Sequence, residues 1–147
     1  MEVHLTAVDD AERQKRRVRM GLLAPASDIL IERDFWRMGM AANVDIFTTR
    51  IALEMPLTPM TLARLADGIA GASSLLLPEA QIDALVFGCT SGSAVIGPAN
   101  VAARVHSVKP DLAVTNPASA AVVPYTSDVA EITAVIVSAR SIPVWAR

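Results

Sequence analysis

The 147-residue chain contains a single cysteine, in the run Phe87-Gly88-Cys89-Thr90-Ser91-Gly92-Ser93. A thiol followed by two hydroxyls and flanked by glycines can supply a nucleophile together with donors for a carboxylate or enolate oxygen. An apolar run over 82–87 leads into it and small polar residues follow, the pattern of a buried parallel strand turning tightly into a helix. Backbone N–H groups at such a helix start favour an anion or a thiolate. The competing reading of Cys89 is a small buried core residue. For Thr90 and Ser91 it is helix capping, which is compatible with donation to a ligand. Arg50, closing Thr48-Thr49-Arg50, can pair a carboxylate bidentately or form a surface ion pair. Tyr125, after Pro124, offers either an oxyanion donor or a packed ring with an exposed hydroxyl. Glu32 and Asp34 read as a solvated helix face.

Other chemistries lose weight. The two histidines, His4 and His106, are far apart, and no Cys/His cluster has zinc spacing. His106 reads as a helix-surface residue. No Gly-x-Gly-x-x-Gly or P-loop pattern occurs. A phosphatase-type Cys-x5-Arg loop needs arginine where the chain has Val95, and Gly88-Cys89-Thr90-Ser91-Gly92 misplaces the serine of a nucleophile elbow.

The elements that must position these residues alternate. Residues 20–24 read as a first strand closed by Pro25. Asp28 caps a helix through Phe35, Trp36 and Met38 that stops before Asn43. Residues 44–51 form a second strand. Thr58 and Pro59 open a helix whose buried stripe is Leu62, Leu65, Ile69, Ala72 and Leu76, ended by Pro78. Gly68 and Gly71 weaken that helix while permitting close packing on a sheet. Residues 82–87 form the third strand. A helical stretch follows, broken at Gly97-Pro98 and continuing through Val101, Val105 and Val108, and 111–115 is a short fourth strand. This order predicts an α/β fold with a parallel sheet. Ligands in such sheets bind beyond the carboxyl ends of the strands, so 25–28, 48–50, 89–93 and 115–116 converge on one candidate site.

The alternation then breaks. Only eight residues separate Thr115 from Pro124, whereas a parallel crossover needs about 10–12 or more. Beyond them, 129–139 suits a helix and 142–145 a last strand or tail. Length suits one domain, with a charged arm at 1–19, a first α/β lobe at 20–121 and the start of an incomplete second lobe at 122–147. Hydrophobic residues make up 52% and charged residues 19%, enough for a sizeable core. No apolar run reaches about 18 residues, so no membrane span is expected, and the charged start lacks a secretory h-region. One cysteine fits a reducing compartment, most simply the cytoplasm. A net charge of −2 gives no nucleic-acid footprint, and Arg13, Lys15, Arg16, Arg17 and Arg19 read as a solvated arm.

Several of these residues resemble one family. Gly21-Leu22-Leu23-Ala24-Pro25-Ala26-Ser27-Asp28, with Glu32 and Asp34-Phe35, resembles the opening strand and turn of the maleate isomerase and arylmalonate decarboxylase branch of the aspartate/glutamate racemase superfamily. Thr49-Arg50-Ile51 resembles its second strand end, Gly88-Cys89-Thr90-Ser91-Gly92-Ser93 its first catalytic-cysteine loop, and Pro124-Tyr125 its proline–tyrosine turn. Within that branch, Glu32-Arg33-Asp34-Phe35-Trp36 and Leu53-Glu54-Met55-Pro56-Leu57-Thr58 look most like the ectoine-utilisation group. The resemblance implies two similar α/β lobes with a cofactor-free site between them, one cysteine from each. Cys89 would be nucleophile or base. Thr90, Ser91 and Tyr125 would bind carboxylate or stabilise charge, and Ser27 and Asp28 would line the site. The implied ligand is a small carboxylic or amino acid, the implied role isomerisation or racemisation in ectoine utilisation, with no metal or organic cofactor. Two departures stand out. Asp28 replaces the asparagine usual in the isomerases, an extra negative charge that repels a carboxylate unless offset and favours a ligand with an amino group. The second lobe is shortened and lacks the opposing cysteine, which leaves a catalytically inactive carboxylate-binding or interaction protein as the alternative. An incomplete lobe would also expose apolar surface for a homo-oligomer to cover.

Overall fold

The computed structural model describes residues 17–120. Four strands form one parallel sheet: β1 (Val18–Pro25), β2 (Val44–Ile51), β3 (Ala84–Phe87) and β4 (Ala113–Thr115). Their order is β2-β1-β3-β4. Five helices join them: α1 (Ile31–Ala42), α2 (Pro59–Ser74), α3 (Thr90–Ile96), α4 (Pro98–His106) and α5 (Pro117–Ala120). The expected α/β class and strand alternation are both present.

Position in the sheet explains each strand's composition. β1 and β3 have neighbours on both sides and helices above or below, so their residues are buried almost throughout. Among the described residues β2 and β4 lie at the edges, and they are mixed or half-buried. Alternate residues face opposite layers. Val18, Met20, Leu22 and Ala24 of β1 pack with Val44 and Ile46 of β2 against Ile31 and Phe35 of α1. Leu23, Leu85 and Phe87 face the other way, into the larger core built by Leu62, Leu65 and Ile69 of α2 with Val101 and Val105 of α4.

The helix α2 starts as its sequence predicts. The Thr58 hydroxyl accepts from the Thr61 N–H at 3.1 Å and the Thr61 hydroxyl accepts from the Thr58 N–H at 2.9 Å, a reciprocal capping box with Pro59 next to it. Burying each of Leu62, Leu65 and Ile69 contributes about 1.5–3 kcal/mol. That outweighs the cost of Gly68 and Gly71, up to about 1 kcal/mol apiece. The two glycines differ. A Cβ on Gly68 would sit 2.8 Å from Ile51 Cγ2, so this glycine does let the helix close on the sheet, whereas a Cβ on Gly71 would meet nothing within 4 Å. Close packing at Gly71 is therefore corrected.

Other boundaries shift by two residues. β1 begins at Val18 because the Arg17 guanidinium anchors its start, 2.7 Å from Asp45 and donating to the Val44 carbonyl; Arg17 is thus an ion-pair partner rather than a freely solvated residue. β3 begins at Ala84, with Ile82 buried just before it. β4 begins at Ala113 because Asp111 has a φ of 61°, a left-handed conformation that ends strand geometry. Gly97 separates α3 from α4 with a φ of 86° and ψ of 140°, a region essentially reserved for glycine. Pro98 then opens α4, which ends at His106, leaving Val108 exposed beyond it. The expectations for residues 1–16, for Val122 and Val123, for Tyr125 and for 129–139 and 142–145 lie outside the described residues.

Candidate functional site

The chain leaves β1 for β2 on one side and returns through α2 to place β3 on the other, so the strand order reverses between β1 and β3. Ligand crevices in open α/β sheets form at such a switch point, beyond the carboxyl ends of the strands. The Gly88 N–H donates to the Leu23 carbonyl at 2.8 Å, which carries the parallel ladder one residue past β3. Cys89 follows at once, on the turn facing the end of β1.

Cys89 is half-buried and is the N-cap of α3, with φ −119° and ψ 109°. Its sulfur accepts the Gly92 N–H at 3.3 Å. Gly92 makes this approach feasible: a Cβ there would lie 3.0 Å from the sulfur and 2.9 Å from Leu65 Cδ1. The thiol packs against the larger core while remaining partly exposed. Thr90 and Ser91 are exposed on the first turn of α3, where backbone N–H groups have no intrahelical acceptor.

The turn after β1 is held by two charged side chains. Asp28 Oδ1 accepts the N–H groups of Leu30 at 2.8 Å and Ile31 at 2.9 Å, capping α1 as expected. These bonds, first that from Ile31 and then that from Leu30, lower the carboxyl pKa from its ordinary 3.8, with a smaller contribution from the Arg50 guanidinium and against an opposing effect of burial. Asp28 is therefore held as a carboxylate, and the Arg50 guanidinium nearby also pairs with Glu32. Ser27 is exposed at the turn.

Arg50 emerges from the end of β2 and is fully engaged. Nη1 donates to the carbonyls of Asp28 at 2.8 Å, Ala26 at 3.0 Å and Pro25 at 3.3 Å, and Nη2 pairs with Glu32. Of its two sequence readings the ion pair is the one formed, and it clasps the turn. Glu32, half-exposed, takes part in this clasp, whereas Asp34 is exposed and pairs with its neighbour Arg33.

Two further polar residues fall within the predicted segments 89–93 and 115–116, where sequence reasoning gave them no individual role. Ser93 is completely buried; its hydroxyl donates to the Thr90 carbonyl at 2.9 Å and accepts the Ala118 N–H at 3.2 Å. It fastens α3 to α5, the short helix that follows β4. Asn116, also buried, accepts the Ser119 N–H while the Ser119 hydroxyl accepts the Asn116 N–H at 3.1 Å. Asn116-Pro117-Ala118-Ser119 carries the signal of a capping box and a proline start. Ser93 carries only the weaker signal of a serine three residues after a helix start. The β1, β2, β3 and β4 ends are thus brought together, with Ser27, Asp28 and Arg50 on one side and Cys89, Thr90 and Ser91 on the other. His106 lies elsewhere, exposed, with Nε2 2.9 Å from the Leu112 carbonyl. Among the described residues no group of three or more His, Cys, Asp or Glu side chains is placed to hold a metal ion, and no helix is long and apolar enough to cross a membrane.

The fold has counterparts of known structure. The maleate isomerase Iso from Pseudomonas putida S16 superposes with a TM-score of 0.61 at 16% identity, over 84% of this chain and 60% of that one. A cysteine-to-alanine variant of that enzyme, solved with maleate, gives a TM-score of 0.60 over the same shares. The fold is that of a single racemase-like lobe. The chain spans about three-fifths of the length of these enzymes. No protein-family model and no curated protein sequence matches it.

Proposed function

We propose that this chain binds a small carboxylate across the β1–β3 switch point, beside Cys89, and that it serves as a carboxylate-binding or interaction protein rather than a two-cysteine isomerase. One observation carries the reading. The single cysteine lies at the strand end where ligands of this sheet type bind, in a fold like that of an enzyme crystallised with maleate. In this account Thr90, Ser91 and the Ser27–Asp28 turn hold the carboxylate, and Tyr125 adds a donor. Proton exchange between two opposed thiols needs a second cysteine, and the sequence holds one.

A second reading is favoured by the stretches around residues 32–36 and 53–58, which look like the ectoine-utilisation group. Here the protein is a cofactor-independent, cytoplasmic isomerase or racemase of a small carboxylic or amino acid. The Cys89 sulfur adds to an alkene carbon, the resulting single bond rotates, and the sulfur–carbon bond breaks to return the thiolate.

Proton NMR of maleate with the purified chain separates the two. Saturation transfer to maleate without a fumarate signal is the expected result. Fumarate that forms with the wild type and not with Cys89→Ala establishes the second reading instead. Neither binding nor turnover of maleate contradicts the carboxylate reading.

A further inference from the structure

We infer that Ser93 is a positioning residue for Cys89: it locks the turn that aims the Gly92 N–H at the sulfur, and it ties that turn to α5, so that the reactivity of the thiol follows the docking of α5. This rests on the placement of Cys89 in the proposed site and names what regulates the thiol there.

A buried hydroxyl is costly unless it is hydrogen-bonded. Two serines among the described residues, Ser73 and Ser93, have no exposed surface. The Ser73 hydroxyl, in α2, has no partner among the described residues. Ser93 is bonded as both donor and acceptor, and its partners show its task. Its N–H donates to the Cys89 carbonyl at 2.8 Å, and its hydroxyl donates to the Thr90 carbonyl at 2.9 Å. Ser93 thus holds both peptides that follow Cys89. Gly92, the residue just before it, donates its N–H to the Cys89 sulfur at 3.3 Å. A donor on sulfur favours the thiolate over the thiol, and it does so only while its geometry is kept.

The remaining bond leaves the turn. The Ser93 hydroxyl accepts the N–H of Ala118, 25 residues on, at 3.2 Å. Ala118 lies in α5, which follows the carboxyl end of β4. The start of α5 is set by Asn116 and Ser119: the Ser119 N–H donates to Asn116 Oδ1 at 3.0 Å and the Asn116 N–H to the Ser119 hydroxyl at 3.1 Å. A displacement of α5 therefore reaches the cysteine turn through one buried hydroxyl. Ser93 touches no ligand in this account; it acts through the Gly92 N–H and Cys89.

Iodoacetamide reacts with the thiolate. A free thiol is mostly ionised at about pH 9.5, where the alkylation rate reports access alone. The ratio of the Cys89 rate at about pH 7 to that at about pH 9.5 therefore reads stabilisation of the thiolate with access divided out. The full chain is used without maleate, so the result is independent of carboxylate binding. Failure of maleate to protect Cys89 ends the carboxylate reading and leaves this ratio standing, and the reverse also holds. Ser93→Ala, with the far-UV circular dichroism of the wild type, lowers the ratio about threefold or more. Ser119→Ala, which loosens the start of α5, lowers it by a smaller factor. Ser73→Ala, which removes the other completely buried serine hydroxyl, leaves it unchanged. A wild-type ratio in folded Ser93→Ala overturns the positioning role. An equal fall in Ser73→Ala overturns it too, because the effect then belongs to any loosening of the core. A fall in Ser93→Ala with a wild-type ratio in Ser119→Ala overturns the link to α5. Should Ser93→Ala not fold, Ser119→Ala decides, since that residue is only half-buried: a lowered ratio supports the inference and a wild-type ratio overturns it.

Discussion

Asp28 and Arg50 show how one charged residue sets the task of another. The N–H groups of Ile31 and Leu30, with a smaller contribution from the Arg50 guanidinium, stabilise the ionised carboxyl of Asp28 and lower its pKa. The sign of the pH dependence follows. A carboxyl with a depressed folded pKa stabilises the fold fully above its unfolded value of 3.8, and that contribution is lost as pH falls through the lower folded value. Asparagine also caps helices but does not titrate. Between about pH 5 and pH 2 the Tm of the wild type should therefore fall more steeply than that of Asp28→Asn. Parallel curves in differential scanning calorimetry would show that Asp28 does not contribute in this way.

At the scale of elements, the glycines of α2 give a direct test of how the helix meets the sheet. Gly71 faces open space, so Gly71→Ala should stabilise by about 0.5–1 kcal/mol through helix propensity and unfolded-state entropy. Gly68→Ala would place its methyl against the stiff, buried, β-branched Ile51 and should destabilise by about 1–3 kcal/mol. Urea unfolding checks both, and equal effects of the same sign would contradict the packing described. This pair also marks what was legible beforehand. The apolar stripe of α2, the Thr58-Pro59 start, the Gly97-Pro98 break and the strand order of events were readable because each rests on local chemistry. Which glycine touches the sheet was not, because helix spacing alone does not fix the rotation at which α2 settles. The ion pair open to Arg50 forms, but its clasp on the turn was not legible, for a related reason. Its three carbonyl partners lie 22 to 25 residues away in sequence, and only the pairing of β1 with β2 brings them together. The Asp28 cap and the cysteine at a strand end were readable, whereas the long-range Ser93 bond to Ala118 was not.

At the scale of the molecule, the carboxyl ends of the four strands among the described residues share one rim of the sheet, and the fold is like that of the maleate isomerase structures. The central claim is that a small carboxylate binds on this rim next to Cys89. The most direct measurement is the rate of Cys89 alkylation by iodoacetamide, followed by intact-protein mass spectrometry, as maleate is titrated in. Because Cys89 is the chain's only thiol, every added carbamidomethyl group reports this one position. The account predicts a saturable slowing of alkylation by maleate, absent with an uncharged diamide of the same size. An alkylation rate that maleate leaves unchanged, in a chain whose circular dichroism shows it folded, would contradict it.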